Sequence, residues 1–545
     1  VQSFSADSDE DYSEFETMRL IVKSKSKIDT LDAVSVISGY KDLWVLQFET
    51  EYYTAEAFEY YSALECVEYV EPDSIITMDT VVETFSAEKL ENGHLSWGSE
   101  AIGSVEVLDY LETDSVDLNE VKIGVIDSGI DYNHEFLKDR IIDEGLNFSA
   151  SGDDTAMSDD PDSHGTHVSG IIVDNTPESV KIKGYKIFDS EGKTTDLAIV
   201  SAVDKAVADG MDILNLSFSG GTSETVKESL LNAYQNGVAL ISAAGNDSLN
   251  IDNILPSCLK ESITVAAMNP DFTRAKFSDY GDSVDLAAPG VEIYSTYNND
   301  SYGYMDGTSM ATPFVSACAA IVLSLNPTLS PKDIETQLKN NAIPIDSTEI
   351  FVGSGLANIS EALDINRVNP ALSDNNGGVF YNPVTVTLSR NSETKTYYTI
   401  DGSLPDSESG ILYTSPIEIS KSCVLSWCTY SDDSSLFKSN IQFVDFKVLT
   451  KASESEFEIT EEGVLTAYNG TDKEIVVPEF VNGIAVTEIG ERVFDANNAP
   501  EIVGIVLPKA TLIINSKAFN KNKSIEYIQA PNVETISSYA FQECF

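Results

Sequence analysis

Four short blocks of this 545-residue chain carry side chains able to make and break covalent bonds. Asp127 closes the apolar run VKIGVID and is followed by Ser128 and Gly129, which places a carboxylate at a sharp turn where a buried strand ends. His164 lies in DSHGTHVSG, at the start of an expected helix whose Gly165, Ser169 and Gly170 allow close packing. Ser309 lies in YMDGTSMATPFVSA, a glycine turn leading into an apolar helix, with Pro313 expected in the first turn, where a missing N–H costs little. Asn246 ends the apolar run ISAAGN. Taken singly, each has a plain structural account as a turn residue or helix cap. Taken together they supply a nucleophile at the positive end of a helix, a base, a carboxylate to orient it and an amide donor for an oxyanion, which is the equipment of acyl transfer.

The elements that must position these groups follow from periodicity. From Val121 to about Ser360, buried-looking strands such as VKIGVID, DILNLS and VALISAAGN alternate with helical stretches, predicting an α/β domain with a largely parallel sheet. Asp127 and Asn246 end strands of that sheet, and ligands gather at its carboxyl edge. The serine block is not a G-x-S-x-G elbow, because Ala311 takes the last position and the order along the chain is Asp, His, Ser.

Composition narrows the function classes. With 33 basic against 89 acidic residues the net charge is −56, which repels nucleic acid and anionic lipid. No stretch approaches the roughly 18 uninterrupted apolar residues of a membrane-spanning helix. The six cysteines form no CxxC or CxxH pair, and His164 and His167, three apart, lack a third ligand at metal-site spacing, so His167 is expected to be structural. The chain opens at Val1 with the acidic VQSFSADSDEDYSE, which fits either a removed leader or a fragment.

The remaining segments read as further modules. Residues 1–17 are an acidic lead expected to be disordered, and residues 18–78 alternate short apolar runs with a helical patch at 54–64, as a small α+β module would. Residues 79–96 are poorly patterned, 97–365 form the α/β domain, and 366–449, with VTVTLS and YYTID, form a small antiparallel domain. After a polar linker at 450–455, the pattern I-x-x-x-A/V-F recurs at Ile489–Phe494, Ile514–Phe519 and Ile536–Phe541, with phenylalanines 25 and 22 residues apart, which suits a solenoid over 456–545. Phe494, Phe519 and Phe541 are expected in its core. The chain stops at Phe545 inside a repeat, so the array is expected to be cut short.

The blocks DSGID, HGTHVSG, SAAGN and GTSMATP resemble the four signatures of the subtilase family of serine peptidases, and LNLSFSGG, LAAPG and FSDYG extend the resemblance over about residues 95–362. It implies a serine endopeptidase with Asp127, His164 and Ser309 as triad, Asn246 in the oxyanion hole, and substrate lying as a strand along Ser217, Phe218, Ser219 and Gly220. No cofactor is implied for the chemistry. Structural calcium is a family feature, but Phe136 stands where many relatives place a calcium-binding aspartate, so calcium is assigned to no residue here. Phe314 and Ser219 replace the family's usual His and Gly. Residues 18–78 resemble the family's inhibitory propeptide, making 79–96 the expected processing linker and the module an intramolecular inhibitor. Residues 366–449 are similar to chitobiase/hexosaminidase C-terminal-like β-sandwiches, and the repeats to leucine-rich repeats of bacterial surface proteins.

The whole is expected to be a multidomain, secreted or cell-surface zymogen acting on polypeptides, its accessory domains binding cell-surface or protein ligands. A rival reading is an adhesin built on an enzyme-like scaffold. Asp247, beside Asn246, raises the expectation of a preference for basic substrates.

Overall fold

The computed structural model describes the chain except for residues 1–14, 41, 78–80, 84–93, 114–115, 150–159, 161–162, 252–253, 346–351, 364–367, 381–382, 390–392, 432–437, 440, 498, 500–501, 526 and 545. The chain divides into two compact units, Val1–Arg367 with Ser435–Asn440, and Val368–Ser434 with Ile441–Phe545.

The first unit opens with an antiparallel sheet in which β1 (Arg19–Ser24) pairs with β3 (Leu43–Gln47) and β4 (Val67–Pro72), β2 (Ser35–Tyr40) pairs with β3, and α1 (Glu51–Ser62) packs against the sheet. Phe15 is buried in this core, its ring 5.6 Å from Phe58, and Thr17 Oγ1 donates to the Asp73 carbonyl at 2.7 Å. Residues 15–17, expected to belong to the disordered lead, are therefore ordered, because an aromatic ring that fills a small core orders the chain around it; residues 1–14 of that expected lead lie outside the described residues. Two short strands follow, β5 (Ile75–Thr77) and β6 (Val81–Glu83). The second lies inside the segment expected to be loose, so that expectation is corrected for these residues.

Beyond α2 (Trp97–Ala101) and α3 (Ser104–Thr113) comes the main sheet. Its strands are β7 (Val121–Asp127), β8 (Leu146–Asn147), β9 (Val180–Lys186), β11 (Ile213–Leu216), β12 (Ala239–Ala243), β13 (Ser262–Met268) and β14 (Leu286–Pro289), in the order β14-β13-β12-β11-β7-β9-β8, every pairing parallel. Between them run α4 (His164–Asp174), β10 (Lys193–Thr195), α5 (Asp196–Ala208) and α6 (Glu224–Gln235); after them come the hairpin β15 (Ile293–Tyr297) and β16 (Ser301–Asp306), then α7 (Thr308–Leu325) and α8 (Pro331–Asn340).

Alternate side chains of the strands face opposite layers. Ile123, Val125, Ile213 and Ile241 join α4 and α7 in one core, while Ile126, Leu214 and Leu240 join α5 and α6 in the other. A sheet covered on both faces explains the near-continuous apolar strands. Helix α7 is long and apolar enough to cross a membrane, and its residues are spent on the core instead.

The N-terminal module is fastened to α5 and α6 by carboxylates at their amino ends. Glu71 accepts from the Glu224 and Thr225 N–H groups at 3.0 and 2.9 Å and from Ser223 Oγ at 2.8 Å. Asp73 accepts from the Leu197 N–H at 2.9 Å and pairs with Arg19 at 2.7 Å. Unpaired amides and the positive helix end make these favourable anion positions.

In the second unit, a five-stranded sheet and the pair Val384–Val386 with Ile417–Ile419 share a core that includes Trp427 and Phe446. Residues from Thr450 onward form two ladders of short parallel strands, one through Glu474–Val476, Gly504–Val506 and Tyr527–Gln529, the other through Val464–Tyr468, Glu488–Ile489, Ile513–Ile514 and Thr535–Ile536. Tyr468, Phe494, Phe519 and Phe541 stack in succession at 5.9, 5.1 and 5.1 Å. The segment 450–455, read as a linker, starts this array, since Thr450 pairs with Ile475.

Candidate functional site

Asp127, the last residue of β7, stands at the carboxyl edge of the sheet and is buried. Its Oδ1 lies 2.6 Å from His164 Nδ1 and accepts the Ser128 N–H at 2.7 Å. His164 is the first residue of α4 and is fully buried. The approach of α4 to the end of β7 depends on Gly165, where a Cβ would meet the Gly129 carbonyl oxygen at 2.1 Å. A short hydrogen bond between two groups withdrawn from water fixes the orientation of the ring.

Ser309 is the second residue of α7, after the Gly307 cap, and its Oγ donates to the Ser217 carbonyl at 3.0 Å. Pro313 is not in the first turn as expected; it is six residues beyond the cap, where a helical N–H would bond the Ser309 carbonyl. The carbonyl that proline leaves free accepts from Ser217 Oγ at 2.9 Å. Ser217 is held in turn by Asn215 Nδ2 at 2.8 Å, and Asn215 Oδ1 accepts from Ser316 Oγ at 2.8 Å. The proline thus ties the Ser309 backbone to the pocket wall, a role its residue type did not disclose.

Asn246 is oriented by Thr308, whose N–H and Oγ1 both donate to Asn246 Oδ1, at 2.9 and 3.0 Å. That commits the oxygen and leaves the Nδ2 hydrogens for another acceptor. Asn246, Ser309, Thr308, Ala243, Ser217, Phe218, Ser219 and Thr77 line one pocket. Asp247 is exposed and is not among these lining residues, which removes the basis for reading a basic preference from it; its N–H is held by Asp279 at 3.0 Å.

The segment Ser217–Gly220 faces the N-terminal module through Gly220, where a Cβ would sit 2.9 Å from Ile76. The ladder of the module's strand is made with another partner, however: β5 pairs antiparallel with β10, Thr77 with Lys193 and Ile75 with Thr195. The sequence reading missed β10, a three-residue strand too short to show a period. Beyond the site, β6 pairs with β16, Val81 with Asp306 and Glu83 with Tyr304.

His167, three residues along α4, is fully buried, and its Nε2 meets the Ile293 and Gly303 carbonyls at 3.0 and 3.2 Å. Burial pushes its pKa down to about 3, so it remains a neutral core residue. Phe314 fills the space beside Gly98, and Phe136 packs 6.5 Å from the Tyr302 ring, surroundings that do not suit calcium at position 136. Among the described residues no group of three or more His, Cys, Asp or Glu gathers as a metal site would require.

Against known proteins, the subtilase family model matches residues 119–379, and that of the chitobiase/beta-hexosaminidase C-terminal domain matches residues 375–435. Subtilisin DY of Bacillus licheniformis is 35% identical over 254 residues, covering 44% of this chain and 90% of that protein. Subtilisin of Bacillus pumilus is 34% identical over 256 residues, covering 45% and 91%. Alkaline serine exoprotease A of Vibrio alginolyticus is 31% identical over 282 residues, 51% of each chain. A solved cold-adapted subtilisin-like serine proteinase is 32% identical, covers 44% of this chain and 87% of its own, and gives a TM-score of 0.41.

The arrangement of Ser309, Asn246 and Thr308 would favour attack by Ser309 on an electrophile whose oxygen gains negative charge. A sulfonyl fluoride is expected to label Ser309 alone, and Thr308→Val, which removes one of the two hydrogen bonds that hold the Asn246 oxygen, should slow labelling about tenfold, the worth of one hydrogen bond. Peptide mapping reads both; label elsewhere, or an unchanged rate in the variant, contradicts the assignment.

Proposed function

The chain belongs to the subtilase family and is a serine-type endopeptidase, and from that premise we propose that Asp127, His164 and Ser309 act as its triad in a self-processing zymogen that works outside the cell. The observation that carries this reading is the buried 2.6 Å bond from Asp127 to His164, at the same sheet edge as a pocket lined by Ser309 and Asn246.

In the proposed reaction the Ser309 hydroxyl leaves the Ser217 carbonyl and turns to His164 Nε2. As Oγ attacks the peptide carbonyl, the imidazole takes its proton and Asp127 steadies the cation. The oxyanion is met by Asn246 Nδ2 and the Ser309 N–H. Collapse returns the proton from His164 to the leaving amine and leaves an acyl ester on Ser309. Water, deprotonated by the same histidine, hydrolyses the ester. Substrate lies extended between β10 and Ser217–Gly220, as β5 does, recognised largely by main chain.

The N-terminal module is read as the inhibitor of this site. Its β5 ends at Thr77 in the nucleophile's pocket and the chain resumes as β6 at Val81, so the bond cut in maturation falls between those residues, at the front of the segment 79–96. The acidic surface accords with an extracellular setting. The chitobiase-type module and the parallel solenoid, read as leucine-rich repeats, serve as spacers or docking surfaces for cell-surface or protein ligands.

Intact mass of the purified chain, wild type beside Ser309→Ala, tests the reading: wild type alone should lose its first 77 to 80 residues. Two chains that both stay whole would contradict self-processing, and two that are both cut would contradict the nucleophile.

Seating of the module also depends on pH. Burial, then the Asp73 and Glu71 charges, pushes the Asp196 pKa up from 3.8 to about 7. The seated state keeps a proton the uncovered enzyme releases, so docking is fullest below about pH 3.8 and weakens as pH rises to about 7. Inhibition by the cleaved module should therefore weaken from about pH 4 to about pH 7, less steeply in Asp196→Asn; inhibition that tightens with pH contradicts the assignment.

A further inference from the structure

A second buried carboxylate stands behind the Asp127–His164 pair and has no part in the chemistry above. Asp160 lies four residues before His164 and is fully buried. Its Oδ2 accepts the Thr166 N–H at 2.7 Å, and its Oδ1 is 2.6 Å from Ser128 Oγ. Ser128 Oγ is in turn 3.1 Å from Asp127 Oδ1, the same oxygen that holds His164, and accepts the Gly165 N–H at 3.0 Å.

The Ser128 hydroxyl has one proton and two carboxylates within reach, and a hydroxyl can donate only once. When Asp160 is ionised, the shorter contact takes the proton and Asp127 goes without it. When Asp160 is protonated, its own O–H bonds Ser128 Oγ and the Ser128 proton turns to Asp127. Each state satisfies Asp160, and the two differ by one hydrogen bond to the carboxylate that supports the imidazole.

We infer that Asp160 is a positioning residue of the triad, acting through the Ser128 hydroxyl to set the hydrogen bonding of Asp127 and thereby the basicity of His164. Among the described residues, the charged and titratable groups around it include Asp127 at the end of β7, Asp131 and Tyr132 on the following turn, His164 and neutral His167 on α4, and Lys186 at the end of β9, whose ammonium bonds the Ser128 carbonyl. The turn between β15 and β16 adds the neutral Asn298 amide, donating to the Asp160 carbonyl, and carries Asp300, whose carboxylate accepts the Glu135 N–H. Burial, with Asp127 adding repulsion, lifts the Asp160 pKa to about 6 against its hydrogen bonds from Ser128 and Thr166. The relay therefore changes state in the range where an imidazole titrates. An ionised Asp160 favours the imidazolium twice over, by its charge and by withholding a donor from Asp127.

The inference rests on the triad reading, and an inactive Ser309→Ala control fails only if that reading is wrong. The experiment is the pH dependence of kcat/KM of the matured enzyme in wild type, Asp160→Asn, Ser128→Ala and the double variant. An asparagine amide can donate to Ser128 Oγ and mimics the protonated acid. Wild type should show an acid limb broader than one ionisation. Asp160→Asn should show a single ionisation about one unit lower, with a plateau about tenfold lower. In the Ser128→Ala background the same substitution should move the limb by less than about a third of that shift. An unmoved limb in Asp160→Asn, or a full shift without the Ser128 hydroxyl, overturns the inference. If Asp160→Asn does not mature, Ser128→Ala alone decides: a limb narrowed to one ionisation upholds the relay, and a wild-type limb overturns it.

Discussion

The 2.6 Å hydrogen bond between Asp127 and His164, both closed off from water, is the constraint on which the first unit is organised. A carboxylate withdrawn from solvent costs several kcal/mol unless hydrogen-bond donors replace the water. The chain supplies these donors through the turn after β7 and the start of α4. Bringing α4 that close needs Gly165, whose side chain of one hydrogen fits against the Gly129 carbonyl, and Gly170, where a Cβ would meet Thr296 Oγ1 at 2.2 Å. The parallel sheet then does for Ser217 and Asn246 what it does for Asp127: strands ending at one edge deliver side chains to one place.

The serine side of the site rests on a different device. A proline in the second turn of α7 deprives the Ser309 carbonyl of its helical partner, and Ser217 takes it, so Ser309 and the wall of its pocket are tied in both directions. The N-terminal module exploits the same chemistry of unfilled backbone groups. Glu71 and Asp73 answer the free amides of α6 and α5, and the following strand β5 pairs with β10 and ends at Thr77 in the pocket that Ser309 lines.

Much of this was legible in the residues. Apolar runs separated by helical periods gave the parallel sheet, the Asp and His blocks supplied a hydrogen-bonded pair, and the Asn and Ser blocks supplied two residues of one pocket. The phenylalanine spacing anticipated the stacked core of the solenoid. What escaped notice had no local signature. Phe15 sits in an acidic stretch and is ordered only by the core it fills; β6 and β10 are three residues long, too short for a period, and exist because partners hold their edges. Thr308 and Asp160 act through hydrogen bonds to residues far along the chain or across a turn, and Pro313 reads as a first-turn proline until the cap at Gly307 is located.

The most direct test of the account is to catch the ester. Rapid acid quenching of the matured enzyme with a slowly hydrolysed peptide ester, followed by mass mapping, should place the acyl group on Ser309 within the GTSMATP segment, at close to one equivalent. An acyl group on any other residue, or turnover of the ester with none bound at all, would contradict it.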